Sequence, residues 1–337
     1  MWAYIVRRLL WAPFLLLAVS FITFSLGRFG PGDPAQVIMG QYQNPEAQAR
    51  LRDQMGLNHP IYIQYGMFLR DAIKLDTSAF TDSVKTNLFK WPPSSPNFCA
   101  LVRDNFGESY RYRGRNVGEL ICGRIWISMQ LGIAASIIAL TIGIPLGFVA
   151  ALKQGTWMDL TIVSITLFFM SLPVFITAPF LLIFFVLWTG LLPSHGWDGF
   201  FSTNIIMPAA IMGVPGIAAI TRLTRASTLE VIGQDYVRTA RAKGLKELVI
   251  NRRHILRNAL IPIFTVVGLS LGALVEGSFI TEGYFGIPGI GRLAIESFFS
   301  RDYPVITALG LVIATSFVIV NLVVDIGYRL IDPRIRY

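Results

Sequence analysis

Runs of about 20 mostly apolar residues, the length a helix needs to cross a bilayer, recur along this chain. They fall at about 9–27, 127–152, 160–188, 204–221, 259–281 and 305–328. In hydrocarbon the backbone must satisfy its own hydrogen bonds, so such runs become helices. The expectation is an all-α membrane protein with six transmembrane helices. Composition agrees: 15% of residues are charged, against about 25% in soluble proteins. The fourth run is the weakest, being short and holding Pro208 and Pro215. Pro145, Pro173 and Pro179 predict kinks in the second and third. The first run is longer than a signal-peptide core and no clear A-x-A site follows it, so it reads as an uncleaved anchor.

Orientation follows from charge. Arg7 and Arg8 precede the first run, and Arg329, Arg334 and Arg336 follow the last. The segment 222–258 holds nine Lys/Arg against three Asp/Glu, whereas 189–203 has no Lys or Arg. Basic residues collect in cytoplasmic loops, so both termini are expected to face the cytoplasm. This also accounts for the net charge of +9 without nucleic acid as a partner. The chain then divides into a first transmembrane helix (1–28), a large extracytoplasmic segment between helices 1 and 2 (29–124), and a five-helix core (125–337). Within the outer segment, Asn44-Pro45-Glu46 predicts a helix start and Gly56 its end. A second helix is expected near Pro60, with Tyr62, Tyr65 and Leu69 on one face. The stretch KTNLFKWPPSSPNFC reads as a loop.

Several chemistries find no support. There is no phosphate-binding G-x-x-x-x-G-K-[ST] and no H-E-x-x-H, and no metal site is expected. Gly268-Leu269-Ser270-Leu271-Gly272 fits G-x-S-x-G, but it lies inside a helical run with no histidine at its depth. A nucleophile elbow needs a strand, a turn and a general base. An intramembrane Ser270 hydrolase is therefore the weaker reading, and Gly268 and Gly272 read as a G-x-x-x-G packing pair. Residues 283–291, GYFGIPGIG, read as a turn on the outer side. Glu276 and Glu282 are ionisable groups within or near the fifth run, and such groups mark pathways or structural hydrogen bonds. A proton-driven secondary transporter using Glu276 is the rival from another class. Asp325 sits four residues before Arg329, which suits an ion pair. Cys99 and Cys122 lack metal-site spacing. Both fall on the outer side, where a disulfide is open to them; two unpaired thiols are the other reading.

The remaining feature is the basic stretch DYVRTARAKGL at 235–245, between two apolar runs. It reads as one of two short helices in 222–258, begun by Asp235 as N-cap and ended by Gly244. Val237, Ala240 and Gly244 fall on one face, and small residues there let another surface come close. Docking of a protein partner and contact with anionic lipid are both open on these grounds.

DYVRTARAKGL, followed by RNALIP at 257–262, resembles the cytoplasmic coupling signature of ABC-importer permease subunits. It looks most like the B-type subunit of the dipeptide, oligopeptide and nickel group. MGLNHPIYIQYGMFL at 55–69, FGESYRYRGRNVGELICGRI at 106–125 and EGSFITEGYFGIPGIGRLAIESFFSRDYPVI at 276–306 are similar to the segments flanking that family's spans. The resemblance implies a permease subunit in a bacterial or archaeal cytoplasmic membrane that is not itself an enzyme. It implies a C-type permease partner, two ATPase subunits that bind ATP and magnesium, and an external solute-binding protein. The chain itself would carry no cofactor. The coupling role falls on Tyr236, Thr239, Ala240, Lys243, Gly244 and Leu245. The family's Glu-Ala-Ala is Thr239-Ala240-Arg241 here, so only the central Ala and the later Gly match. Residues of about 77–103, including Trp91 and Cys99, form an insertion with no counterpart in the resemblance. Di- or oligopeptides are the expected cargo, and nickel or another small solute the alternative.

Overall fold

The computed structural model describes residues 2–29, 33–39, 44–72, 106–112, 114–270 and 277–331. Among them the regular elements are helices, with one isolated antiparallel bridge between Glu108 and Asn116. The chain separates into two compact units, one drawn from 1–128 and 288–322, the other from 129–287 and 323–336.

The first unit opens with α1 (Trp2–Phe29), α2 (Pro34–Met39), α3 (Pro45–Gln54) and α4 (Ile61–Ala72). α3 begins as expected. Asn44 is extended, its Oδ1 accepts from the Glu46 amide at 3.0 Å, and Pro45 needs no partner at the first helical position. Gly56 follows the helix end at φ +65°. On α4 the expected face is only half right. Tyr65 and Phe68 meet Phe21 and Phe24 of α1, and Tyr65 Oη lies 2.7 Å from Ser20 Oγ. Tyr62 is exposed instead; it sits three residues from Tyr65, but the α1 contact is made by the i, i+3 pair on the other side of it.

α5 (Val117–Leu152) starts in the first unit and continues into the second. In the first unit its Val117, Leu120 and Ile121 pack with Ile290 and Leu293 of α13 (Ile290–Phe299) and with Val305, Ala308 and Leu309 of α14 (Tyr303–Ile331). The turn between α13 and α14 is clasped by the segment before α5. The buried Asp302 carboxylate accepts from the Ser109 hydroxyl, and from the amides of Tyr110 at 3.1 Å and Arg111 at 3.3 Å. Nearby, Glu296 accepts from Tyr112 Oη at 2.8 Å and from Arg292 Nε at 2.7 Å. Burial pushes the Glu296 carboxyl up. Hydrogen bonds from Arg292 and Tyr112, with the charges of Arg292 and Arg124, outweigh that and hold it below the usual carboxylate range. Because the folded value lies below the unfolded one, this stabilisation is complete above the unfolded pKa and is lost as pH falls through the folded one. The Glu296 contribution to the thermal midpoint, read as the difference between the parent and Glu296→Gln, should therefore be flat from neutral pH down to about 5 and shrink below the ordinary Glu value of about 4.3.

The second unit holds α6 (Trp157–Ser171), α7 (Val174–Leu182) with a π-helical extension Ile183–Trp188, α8 (Ile206–Ile232), α9 (Asp235–Ala242), α10 (Glu247–Val249), a π-helical stretch Ile250–Leu256, α11 (Arg257–Ser270) and α12 (Phe279–Tyr284). Four helices among the described residues are long and apolar enough to cross a membrane: Leu10–Gly27, Val117–Leu152, Thr203–Ile232 and Tyr303–Leu322. α6 and α7 make a fifth span only as a pair, bent by 102°. The kink expected at Pro173 is thus a full break, since Leu172 ahead of the proline is extended. The run at 259–281 is covered by α11 up to Ser270, and 271–276 lie outside the described residues.

The fourth run is the reverse of weak. α8 is an unbroken helix of 27 residues that extends eleven residues beyond the expected end at 221. Pro208 falls in the first turn, where no intrahelical N–H is needed, so only Pro215 removes a bond. α8 and α5 approach closely at glycines. A Cβ on Gly213 would stand 2.9 Å from the Ala135 carbonyl oxygen, and one on Gly147 would stand 2.3 Å from that of Thr221.

Candidate coupling site

Residues 222–232, expected as part of a cytoplasmic loop, continue α8. The chain then turns at Gly233-Gln234 into α9. Gln234, not Asp235, is the extended N-cap residue; Asp235 is the first helical residue, where its charge suits the helix dipole. The C-terminal end forms as expected. Gly244 has φ +72°, a left-handed conformation that favours glycine, and its amide donates to Arg241 O at 2.9 Å. The Leu245 amide reaches back to Ala240 O at 3.4 Å, closing the turn.

The two faces of α9 are distinct. Val237 and Ala240 are buried against Ile250 and Ile255 of the π-helical stretch, with Phe148 of α5 and Val231 and Ile232 of α8 packed around them. Full burial of Val237, Ile250 and Ile255 contributes about 1.5–3 kcal/mol each. This corrects one assignment: Ala240, 5% exposed, faces its own chain, and its small size serves that packing rather than an outer surface. The open face carries other residues. Tyr236, Thr239, Lys243, Gly244 and Leu245 are exposed, and Leu248 beyond them is 78% exposed. Leu248 and Val249 extend the apolar edge of the site; their alternation with charge in LKELV hid them from a periodicity reading. Around the edge, Arg241 Nε pairs with Glu247 at 3.0 Å and Arg238 with Asp235 at 3.7 Å. Exposed pairs of this kind contribute little to stability.

The other candidate residues fall apart from this site. Glu282 is fully buried in α12, where its carboxylate accepts from the Ser278 amide at 3.3 Å and Ser278 Oγ accepts from the Thr281 amide. This reciprocal capping gives Glu282 a local structural task. Gly286, at φ +66°, turns the chain between α12 and α13, as GYFGIPGIG predicts. Cys122 is buried in α5. Glu276 and the whole 77–103 insertion, Cys99 included, lie outside the described residues, as do the side chains of Ser270, Asp325 and Arg329.

Comparison with known proteins places these features. Residues 143–337 match the family described as "Binding-protein-dependent transport system inner membrane component", and residues 1–86 match the N-terminal module of such membrane components. The chain is 34% identical over 343 residues to the probable peptide ABC transporter permease protein y4tP of Sinorhizobium fredii, with 100% of both chains covered. It is 36% identical over 363 residues to the dipeptide transport system permease protein DppB of Alkalihalophilus pseudofirmus, again with 100% of both covered. Among solved structures, an inward-facing form of the MetNI methionine ABC transporter shares the fold, with a TM-score of 0.52 at 19% identity, covering 63% of this chain and 96% of that one.

Proposed function

The chain belongs to the family of binding-protein-dependent transport system inner membrane components, and from that premise we propose that it forms half of a peptide translocation pathway driven by ATPases on other chains. It is a permease subunit of an ABC importer. The full-length relatives named for peptides and dipeptides support di- or oligopeptides as cargo. ATP and magnesium belong to two partner ATPase subunits. A C-type permease completes the pathway, and an external binding protein delivers the substrate. The expected topology has six spans with both termini in the cytoplasm, and 29–124 outside.

The observation that carries this reading is the two-sided α9. Its inner face is locked to α5, α8 and the π-helical stretch by Val237 and Ala240, while Tyr236, Leu245 and Leu248 stand exposed on the other side. A helix so anchored passes a push on its outer face directly to the spans. The mechanism is alternating access: ATP closes the partner ATPases, α9 moves with them, and the pathway opens outward. Reconstitution with the partners tests it. A Walker-lysine substitution in the ATPase should abolish uptake of peptide released by the binding protein. Uptake that persists without the ATPase would instead support a proton-driven transporter.

A further inference from the structure

α8 leads directly into α9, and two of the helices packed on it, α5 and α6, hold it in different ways. Against α5 the contact is backbone and methyl groups at Gly143 and Gly147, and the hydroxyls of Thr221, Thr224 and Thr228 on α8 are buried without a hydrogen-bond partner. Against α6 the contact is a two-bond fork. Arg225 Nε donates to Asp159 Oδ1 at 2.7 Å and its Nη2 donates to Oδ2 at 2.8 Å. Asp159 lies in the first turn of α6, and its Oδ2 also accepts from the Gly155 amide at 3.1 Å. The carboxylate is thus tied to α8 on one side and to the α5–α6 turn on the other. Bidentate Arg–carboxylate pairs fix orientation as well as distance. At Gly143 and Gly147 a displacement of α8 along α5 moves past backbone and methyl groups, but it must carry Asp159 with it or break the fork.

We propose that Arg225 and Asp159 are positioning residues that transmit the displacement of α9, through α8, into α6 and so into the bent pair α6–α7. The inference rests on the coupling role of α9. The side chains of the pair are 30% and 8% exposed. Removing Asp159's charge leaves an arginine that water can reach, whereas removing Arg225 strands a buried carboxylate. Asp159→Asn is therefore the cleaner variant, with Arg225→Lys as its companion, keeping charge but losing the fork.

The test uses the assembled complex with both ATPases, the permease partner and the purified binding protein. With Asp159→Asn, basal ATP hydrolysis should stay within about two-fold of the parent while stimulation by the binding protein falls about ten-fold, within the usual range of coupling energies. Arg225→Lys should fall between. Spin labels on Arg238→Cys in α9 and Trp157→Cys in α6 should keep one distance before and after vanadate trapping in the parent, and gain a second, displaced population in Asp159→Asn. Unchanged stimulation with an unchanged distance would overturn the proposal. So would failure of both variants to assemble, which would make the pair a fold staple. Failure of the coupling role itself is seen separately, as normal ATPase association by Gly244→Trp.

Discussion

Gly244→Trp is expected to insert into the membrane at the parental level and to lose co-purification with the ATPases, and with it substrate-stimulated hydrolysis. Two effects combine. The φ of +72° at this position costs an L-residue about 1–2 kcal/mol. Nothing lies within 4 Å of the point where a Cβ would stand, so the indole projects from the open face beside Tyr236 and Leu245. Gly244→Ala separates the two effects. It carries the backbone strain without the bulk, and should lower association by about 5–30-fold, the equivalent of 1–2 kcal/mol. A Trp variant that binds its ATPases normally would mean that docking occurs elsewhere.

Gly147→Leu should have the larger effect on folding. Even the first added carbon would meet the Thr221 carbonyl oxygen at 2.3 Å and Thr224 Cβ at 2.6 Å, and neither is the free end of a flexible side chain. α5 and α8 would have to part. Overpacking usually costs about 1–3 kcal/mol, and a backbone clash within a helix pair falls at or above the top of that range. The expected result is loss of monodisperse protein in detergent and a clear drop in thermal midpoint. Gly123→Ala in the same helix is the control, because nothing lies within 4 Å of its Cβ position. It should be neutral or stabilising, by up to about 1 kcal/mol from helix propensity. A stable Gly147→Leu would show that the α5–α8 contact is not required.

What could be read from the residues alone was local. Apolar run length marked most spans, Asn44 and Gly56 marked α3, and Gly244 marked the end of α9, because caps and turns depend on a few neighbouring residues. The misses were long-range. Arg225 and Asp159 are 66 positions apart and Asp302 and Ser109 are 193 apart, so no periodicity connects them. Phe148 lies in an apolar run in which it is one of many large side chains, and only the folded chain puts it against Val237. Ala240 was assigned to the correct helix and the wrong side, since small residues suit an intramolecular contact as well as a partner. The apolar run at 204–221 understates α8 because it stops where charge begins, at Arg222 and Arg225, whereas the helix continues past them to Ile232. The family signature in 235–245 named the function more sharply than geometry could, and the geometry then sorted its residues into those that hold the helix and those that face outward.

The packing under α9 also orders the protein's biogenesis. Its core draws on Phe148, on Val231 and Ile232, and finally on Ile250 and Ile255. A nascent chain still ending before 250 has the whole 235–245 sequence but lacks the hydrophobic floor that holds it in shape. The inner packing of α9 is complete only once residue 255 has left the ribosome, so its exposed face takes its shape after every residue it carries has been made.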